Sequence, residues 1–110
     1  DEPTAGDVEL LGRRIAEAAG LRAMSLSGTG ALARGENPTT HAAIVKDAGT
    51  SFEQSVPRLI ADRLASSAQP APDSLLAALA YLMAMSPSFS LRGGTREIIR
   101  GIIARGLGLR

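Results

Sequence analysis

The sequence predicts an all-α fold, an up-and-down helix bundle of four helices, two of them long. Three observations predict it. Apolar residues recur at spacings of three and four through most of the chain. No segment alternates apolar and polar residues as a half-buried strand does, and no hairpin turn is present. Gly- and Pro-containing breaks at "RGENP", "AQPAPD" and "SPSFSLRGG" divide the helical pattern into four.

The first helix is expected to follow the polar start "DEPTAGD", with residues 1–7 disordered and the folded domain at 8–110. Asp7 is its expected N-cap. Val8, Leu11, Ile15, Ala18 and Ala19 mark its buried stripe, continued by Leu21, Met24, Gly28 and Leu32. Gly12, Gly20, Gly28 and Gly30 weaken this helix by about 1 kcal/mol each relative to alanine. They serve either close helix approach or backbone access for a ligand. Gly35 is the expected stop.

The second helix starts with Asn37 as cap and Pro38 in the first turn. Its stripe is Val45, Ala48, Phe52, Val56, Leu59, Ile60 and Leu64. Pro57, which cannot bond the carbonyl of Glu53, is expected to kink it. Asp73 is the expected cap of the third helix, with Leu75, Leu76, Leu79, Leu82 and Met83 facing the core until Ser86-Pro87 ends it. The last helix begins at Gly94 or Thr95 and carries Ile98, Ile99, Ile102, Ile103, Leu107 and Leu109 on a broad apolar face.

A chain of 110 residues makes one small domain. With Phe52, Phe89 and Tyr81 as its aromatics, aliphatic residues must supply the burial. The apolar content of 45% leaves apolar surface to spare for a partner. A net charge of +1 gives no electrostatic case for nucleic acid. The absence of cysteine excludes a disulfide frame and thiolate metal ligation, and His41 alone cannot build a zinc centre. No uninterrupted apolar run of about 18 residues predicts a membrane span. A cytoplasmic setting is the default expectation.

Few residues suggest chemistry. His41 lacks a nucleophile or acidic orienter nearby in sequence and is expected at the surface. Asp47 and Glu53 are six apart and poorly placed as an acid–base pair. Arg58 and Asp62 are expected to form a solvated ion pair. Met24, Met83 and Met85 are gap-fillers rather than metal ligands. The "GTG" at Gly28–Gly30 and "GTS" at Gly49–Ser51 lack the context of a phosphate loop. The paired Gly93 and Gly94 stand out. They begin a helix whose free N–H groups attract an anion or carbonyl oxygen, and they leave the backbone uncovered. The same residues also read as an ordinary helix start, with Glu97 complementing the positive end of the dipole.

The closing stretch "GGTREIIRGIIARGLGL" resembles the terminal motif of the acyl-CoA dehydrogenase family. "GENPTTHAAIVKDAGTSFEQ" is similar to the segment of that family that joins two long helices, and the two lie in the family's order and spacing. The resemblance covers roughly Val8 to Arg110. It implies the C-terminal helical domain of an FAD-dependent enzyme that oxidises acyl-CoA thioesters, with the domain's first helix and two upstream domains absent here. It further implies that Gly93 and Gly94 lie near substrate, that Thr95, Arg96 and Glu97 contact FAD, and that the domain mediates a homo- or hetero-oligomer, dimer or tetramer. No nucleic acid or membrane partner is implied. Many members carry the catalytic glutamate where this chain has Gly93, so no catalytic residue is assigned. Where the family often has a Gly-rich loop that meets a neighbour's FAD, this chain has "SAQPAPDS". The alternative expectation is a non-catalytic partner subunit or a helical interaction domain.

Overall fold

A computed structural model describes residues 2–109; Asp1 and Arg110, at the outer limits of the expected start and domain, lie outside the described residues. The described residues form four α-helices, α1 (Ala5–Ala33), α2 (Thr39–Ala65), α3 (Asp73–Met85) and α4 (Arg96–Gly106), with a 3₁₀ segment at Ser86–Leu91. No strand occurs among them. The all-helical expectation and the number of helices are therefore met.

Helix α1 begins before the expected cap, so residues 5–7 are helical rather than part of a disordered start. Thr4 is the N-cap. Its hydroxyl accepts the Asp7 N–H at 3.2 Å, and the Asp7 carboxylate accepts the Thr4 N–H at 2.9 Å. This reciprocal pair is a capping box in which Asp7 takes the place usually held by Glu or Gln. Asn37 is not the N-cap of α2: it accepts the Thr39 N–H at 3.0 Å from just outside the helix, and Pro38, whose carbonyl accepts the first helical bond, holds the cap position without a side-chain bond. Asp73 makes no cap bond. It lies in the first turn of α3 after Pro72, where its charge still suits the dipole. Helices α1 and α4 both end in Schellman turns, with Glu36 N–H to Ala31 O at 3.0 Å and Leu109 N–H to Ala104 O at 2.8 Å.

Helix α2 is the spine. Two seams run along it, each at alternating spacings of three and four. Val45, Ala48, Phe52 and Ser55 lie toward α1, as the side-chain hydrogen bond from Arg14 to Ser55 and the contact of His41 with Gly28 show. Thr40, Ala43, Asp47, Thr50, Gln54 and Pro57 form the second seam. It meets α4 and the 3₁₀ segment: Gly106 sits on Thr40, Asp47 pairs with Arg96 and Arg100, and Gln54 bonds Arg96 and Ser86. Both α1 and α4 run antiparallel to α2, the geometry in which interlocking three- and four-spaced rows pack at a shallow angle. Pro57 is the most deeply buried side chain, and α2 continues on both sides of it.

The core is thin. Ala43, Thr50, Pro57, Ser86 and Ile99 are its buried residues, and most are small. The expected stripe on the first half of α1 is not buried. Val8, Leu11 and Ile15 are 60–62% exposed, and Leu32 is exposed as well. The half-buried face is Leu10, Arg14, Leu21, Met24, Gly28 and Ala31. At about 100° per residue Val8, Leu11 and Ile15 lie well round the helix from that face, while Leu32 falls on it near the helix end, so the first half of α1 is apolar on two sides. In α3 only Leu79 of the expected core residues is half-buried; Leu75, Leu76, Leu82 and Met83 are exposed. In α4, Ile99, Ile102 and Ile103 are covered, while Ile98, Leu107 and Leu109 are not.

The chain thus exposes 7763 Å², where a compact monomer of its 11.3 kDa mass exposes about 5,700 Å². Its radius of gyration is 17.4 Å, against about 13 Å for a compact domain of this length.

The α2–α4 contact is tight enough to test. A Cβ at Gly106 would lie 1.9 Å from Thr40 Oγ1 and 2.7 Å from its Cγ2. Gly106→Ala gains up to about 1 kcal/mol of helix propensity but forces the helices apart, so urea denaturation is expected to show a net loss of about 1–3 kcal/mol. Adding Thr40→Ala removes the two nearest atoms and restores part of that loss. A second expectation concerns acid. Hydrogen bonds from Thr4 and Arg63 hold the Asp7 carboxyl below its ordinary 3.8. A carboxyl lowered on folding stabilises above its unfolded value, and that stabilisation is lost as pH falls through the folded one. Asp7→Asn should therefore lose stability near neutrality and show a shallower decline in thermal stability than the parent between pH 5 and pH 2, a range set by ~3.8 for an unfolded Asp.

Candidate functional site

The sequence-predicted site residues are contiguous, and the structure places them at the junction of the 3₁₀ segment with α4, against the middle of α2. Arg92 is extended (φ −81°, ψ 108°). Gly93 and Gly94 follow with φ of +75° and +115°, and Thr95 returns to extended backbone as the N-cap of α4. These two positive angles explain the paired glycines, because L-residues with a Cβ rarely adopt them. Space does not exclude a side chain at either position. A Cβ on Gly93 would come no closer than 3.5 Å to Lys46 Cε, and one on Gly94 no closer than 3.6 Å to the side chains of Ile98 and Ile99.

Thr95, rather than Gly94, is the cap, its hydroxyl accepting the Ile98 N–H at 3.5 Å. Glu97 is consequently the second helical residue. Hydrogen bonds from its own backbone N–H and from the Thr95 side chain hold its carboxyl below the ordinary carboxylate value. Arg96 turns toward α2. One of its terminal nitrogens donates to Gln54 Oε1 at 3.0 Å, and its Nε lies 3.5 Å from Asp47 Oδ1. Arg100 Nε reaches the other Asp47 oxygen at 3.3 Å. Gln54 also donates to the Ser86 carbonyl at 2.8 Å, tying the 3₁₀ segment to the same point of α2. Arg92 pairs with Glu53 at 2.9 Å, and its guanidinium stacks 4.7 Å from the centre of the Phe89 ring.

Every carboxylate around the glycines is thus engaged: Asp47 by two arginines, Glu53 by Arg92, Glu97 by its own helix start. The cleft between Gly94, Lys46, Thr50 and Ile99 measures about 10 Å³, room for about one water molecule. An enclosed cofactor needs several hundred Å³. The residues present therefore do not form a flavin pocket within this chain; polar side chains here are drawn inward toward α2.

Sequence reasoning missed Asp47 and Gln54, which anchor the loop through Arg96, Arg100 and Ser86, and Thr50, buried between them. Their three- and four-residue spacing with Thr40, Ala43 and Pro57 was the available signal, obscured because the row is polar. His41 is half-buried rather than at the surface. Its Nε2 lies 2.6 Å from the Met24 carbonyl of α1, and a Cβ on Gly28 would sit 2.7 Å from its ring. Gly28 therefore serves close helix approach, whereas Gly12 and Gly20 face open space. Arg58 and Asp62 form no ion pair among the described residues, in contrast to the expectation from their spacing. No group of three or more His, Asp or Glu side chains suited to a metal occurs among those residues.

Backbone strain gives a direct check of this geometry. Gly94→Ala should cost about 1–2 kcal/mol in chemical denaturation, the penalty for a Cβ in left-handed backbone. Gly12→Ala, in open helical backbone, should stabilise by up to about 1 kcal/mol. No protein-family model, curated protein or solved structure matches the chain.

Proposed function

We propose that the chain is the C-terminal helical domain of an FAD-dependent acyl-CoA dehydrogenase-like protein. Its role is to cover one side of the flavin site, line the acyl pocket and contribute to an oligomer. One observation carries the reading: the two segments that resemble the family, far apart in sequence, pack on one another. Lys46, Asp47 and Gln54 of the middle segment lie against Gly93, Arg96 and Arg100 of the closing segment. Two family-like segments that meet in space are better support than either segment alone.

The geometry refines the roles. Thr95, Arg96 and Glu97 have their side chains committed to the helix start or to α2, so their contribution to FAD contact falls to backbone groups at the amino end of α4. Gly93 and Gly94 would offer bare backbone to the acyl-CoA. When bound, the flavin would accept the hydride in α,β-dehydrogenation of the thioester, and the proton-abstracting base would come from outside the chain. The second reading, a non-catalytic partner subunit, is favoured by the same absence of a free carboxylate at Gly93.

The test uses the complete polypeptide. Purified with its upstream domains, it should show a flavin absorption band that bleaches when acyl-CoA is added anaerobically. Gly94→Arg should slow the bleaching at least tenfold without unfolding the protein. A complete polypeptide that never retains flavin sinks the enzymatic reading. One that retains flavin and bleaches only with a second, glutamate-bearing subunit selects the partner-subunit reading.

A further inference from the structure

Helix α2 carries a third row of residues between its two seams. At about 100° per residue, Ala42, Lys46, Gly49 and Glu53 fall on that side. Where this row meets the end of α1 lies a groove of about 310 Å³, at the lower end of the volumes that hold small molecules. Leu32 of α1 and Pro38, Ala42 and Val45 of the facing segment give it apolar walls. The groove is also pre-formed. The His41 ring in its wall is fixed by the 2.6 Å contact of Nε2 with the Met24 carbonyl and packs on Gly28.

Lys46, the one lysine of the chain, also lines this groove. It is half-buried, yet it forms no ion pair among the described residues. The nearby carboxylates are already taken, Asp47 by Arg96 and Arg100, and Glu53 by Arg92. No Asp or Glu is among the groove's described lining residues. A spare positive charge thus stands beside an apolar space with fixed walls. The larger groove of about 440 Å³ further along α1 and α2 lacks that feature, because its cation, Arg14, is paired with Glu17 at 2.8 Å.

From this we infer that the α1–α2 groove binds a small aliphatic monocarboxylate. Lys46 pairs with its carboxylate, and Leu32, Val45 and Ala42 cover its hydrocarbon body. The groove's composition selects this class. A phosphate dianion would need several charged or N–H donors, and the groove supplies one cation. A neutral hydrocarbon would leave that cation beside an apolar body and gain nothing from it. A carboxylate on a short aliphatic tail matches both features, since a charge-assisted hydrogen bond fixes one end and burial holds the other. The inference does not depend on flavin or acyl-CoA, so its failure and that of the enzymatic reading are separately visible.

Titration of the ¹⁵N-labelled 110-residue chain by NMR tests it, with sodium hexanoate as probe and circular dichroism to verify folding. Hexanoate should shift the amides of residues 25–32 and 38–46 saturably, with a dissociation constant below about 10 mM for so small a ligand. Acetate, which has the charge without the tail, and 1-hexanol, which has the tail without the charge, should each bind at least tenfold more weakly. Lys46→Gln should weaken hexanoate at least tenfold, and Lys46→Arg should retain most of the affinity. Ala42→Phe, which fills the groove and leaves the charge, should also abolish binding; if it fails to fold, the two Lys46 variants decide. Arg58→Gln, which removes an unpaired cation elsewhere on α2, should change nothing. The inference is overturned if no saturable shift appears, or if Lys46→Gln binds as the parent does. Equal binding of acetate, of 1-hexanol or of inorganic phosphate overturns it as well.

Discussion

The contact between α2 and its two antiparallel neighbours is made where side chains are smallest, and the rest of the structure depends on that closeness. Gly106 lets α4 reach Thr40, and Gly28 lets α1 accept the His41 ring. Small side chains bury little apolar area each, so their value lies in bringing long helices within reach of one another. Once α4 is that close, Arg96 and Arg100 both reach Asp47, and Gln54 can span from Arg96 to Ser86. The loop at Gly93 and Gly94 is then fixed from both ends, by the 3₁₀ segment before it and the Thr95 cap after it.

Such a core is economical in volume and leaves much apolar surface outside. Most large aliphatic side chains of α1 and α3 are exposed, while Thr50, Ser86 and Ala43 are buried. At roughly 25 cal/mol per Å², the uncovered apolar area is a substantial reserve of association energy. A domain built in this way is well suited to a larger assembly, whether the cover comes from another domain, another copy or both.

What the sequence disclosed follows from the same arrangement. The helix count, the breaks, the Gly35 stop and a last helix starting at Gly94 or Thr95 were legible because caps and turns are local chemistry. So was the α1-facing row of α2, which is apolar. The second row of α2 was not, since Thr40, Asp47, Thr50 and Gln54 look like solvent-facing residues until α4 supplies arginines and a glycine. The burial of α1 was misassigned because apolar residues occupy two sides of its first half, and periodicity cannot tell which side meets the fold. The paired glycines were noticed, but only dihedral angles could show that the turn itself requires them. The apolar face of α3 was visible in composition and was taken for core.

Helix α1 is held along its length by separate points on α2: Asp7 to Arg63 near one end, Arg14 to Ser55 in the middle, and the Met24 carbonyl to His41 toward the other. Its long-range side-chain hydrogen bonds all go to that one neighbour. Helix α4 and the 3₁₀ segment, by contrast, share Gln54 as a common anchor, and Asp47 holds α4 through two further pairs. The molecule can therefore open in stages, α1 lifting away as a unit while α2 and α4 stay locked together. Amide protons of α1 would then exchange with solvent through this partial opening, well before those of the α2–α4 pair are released.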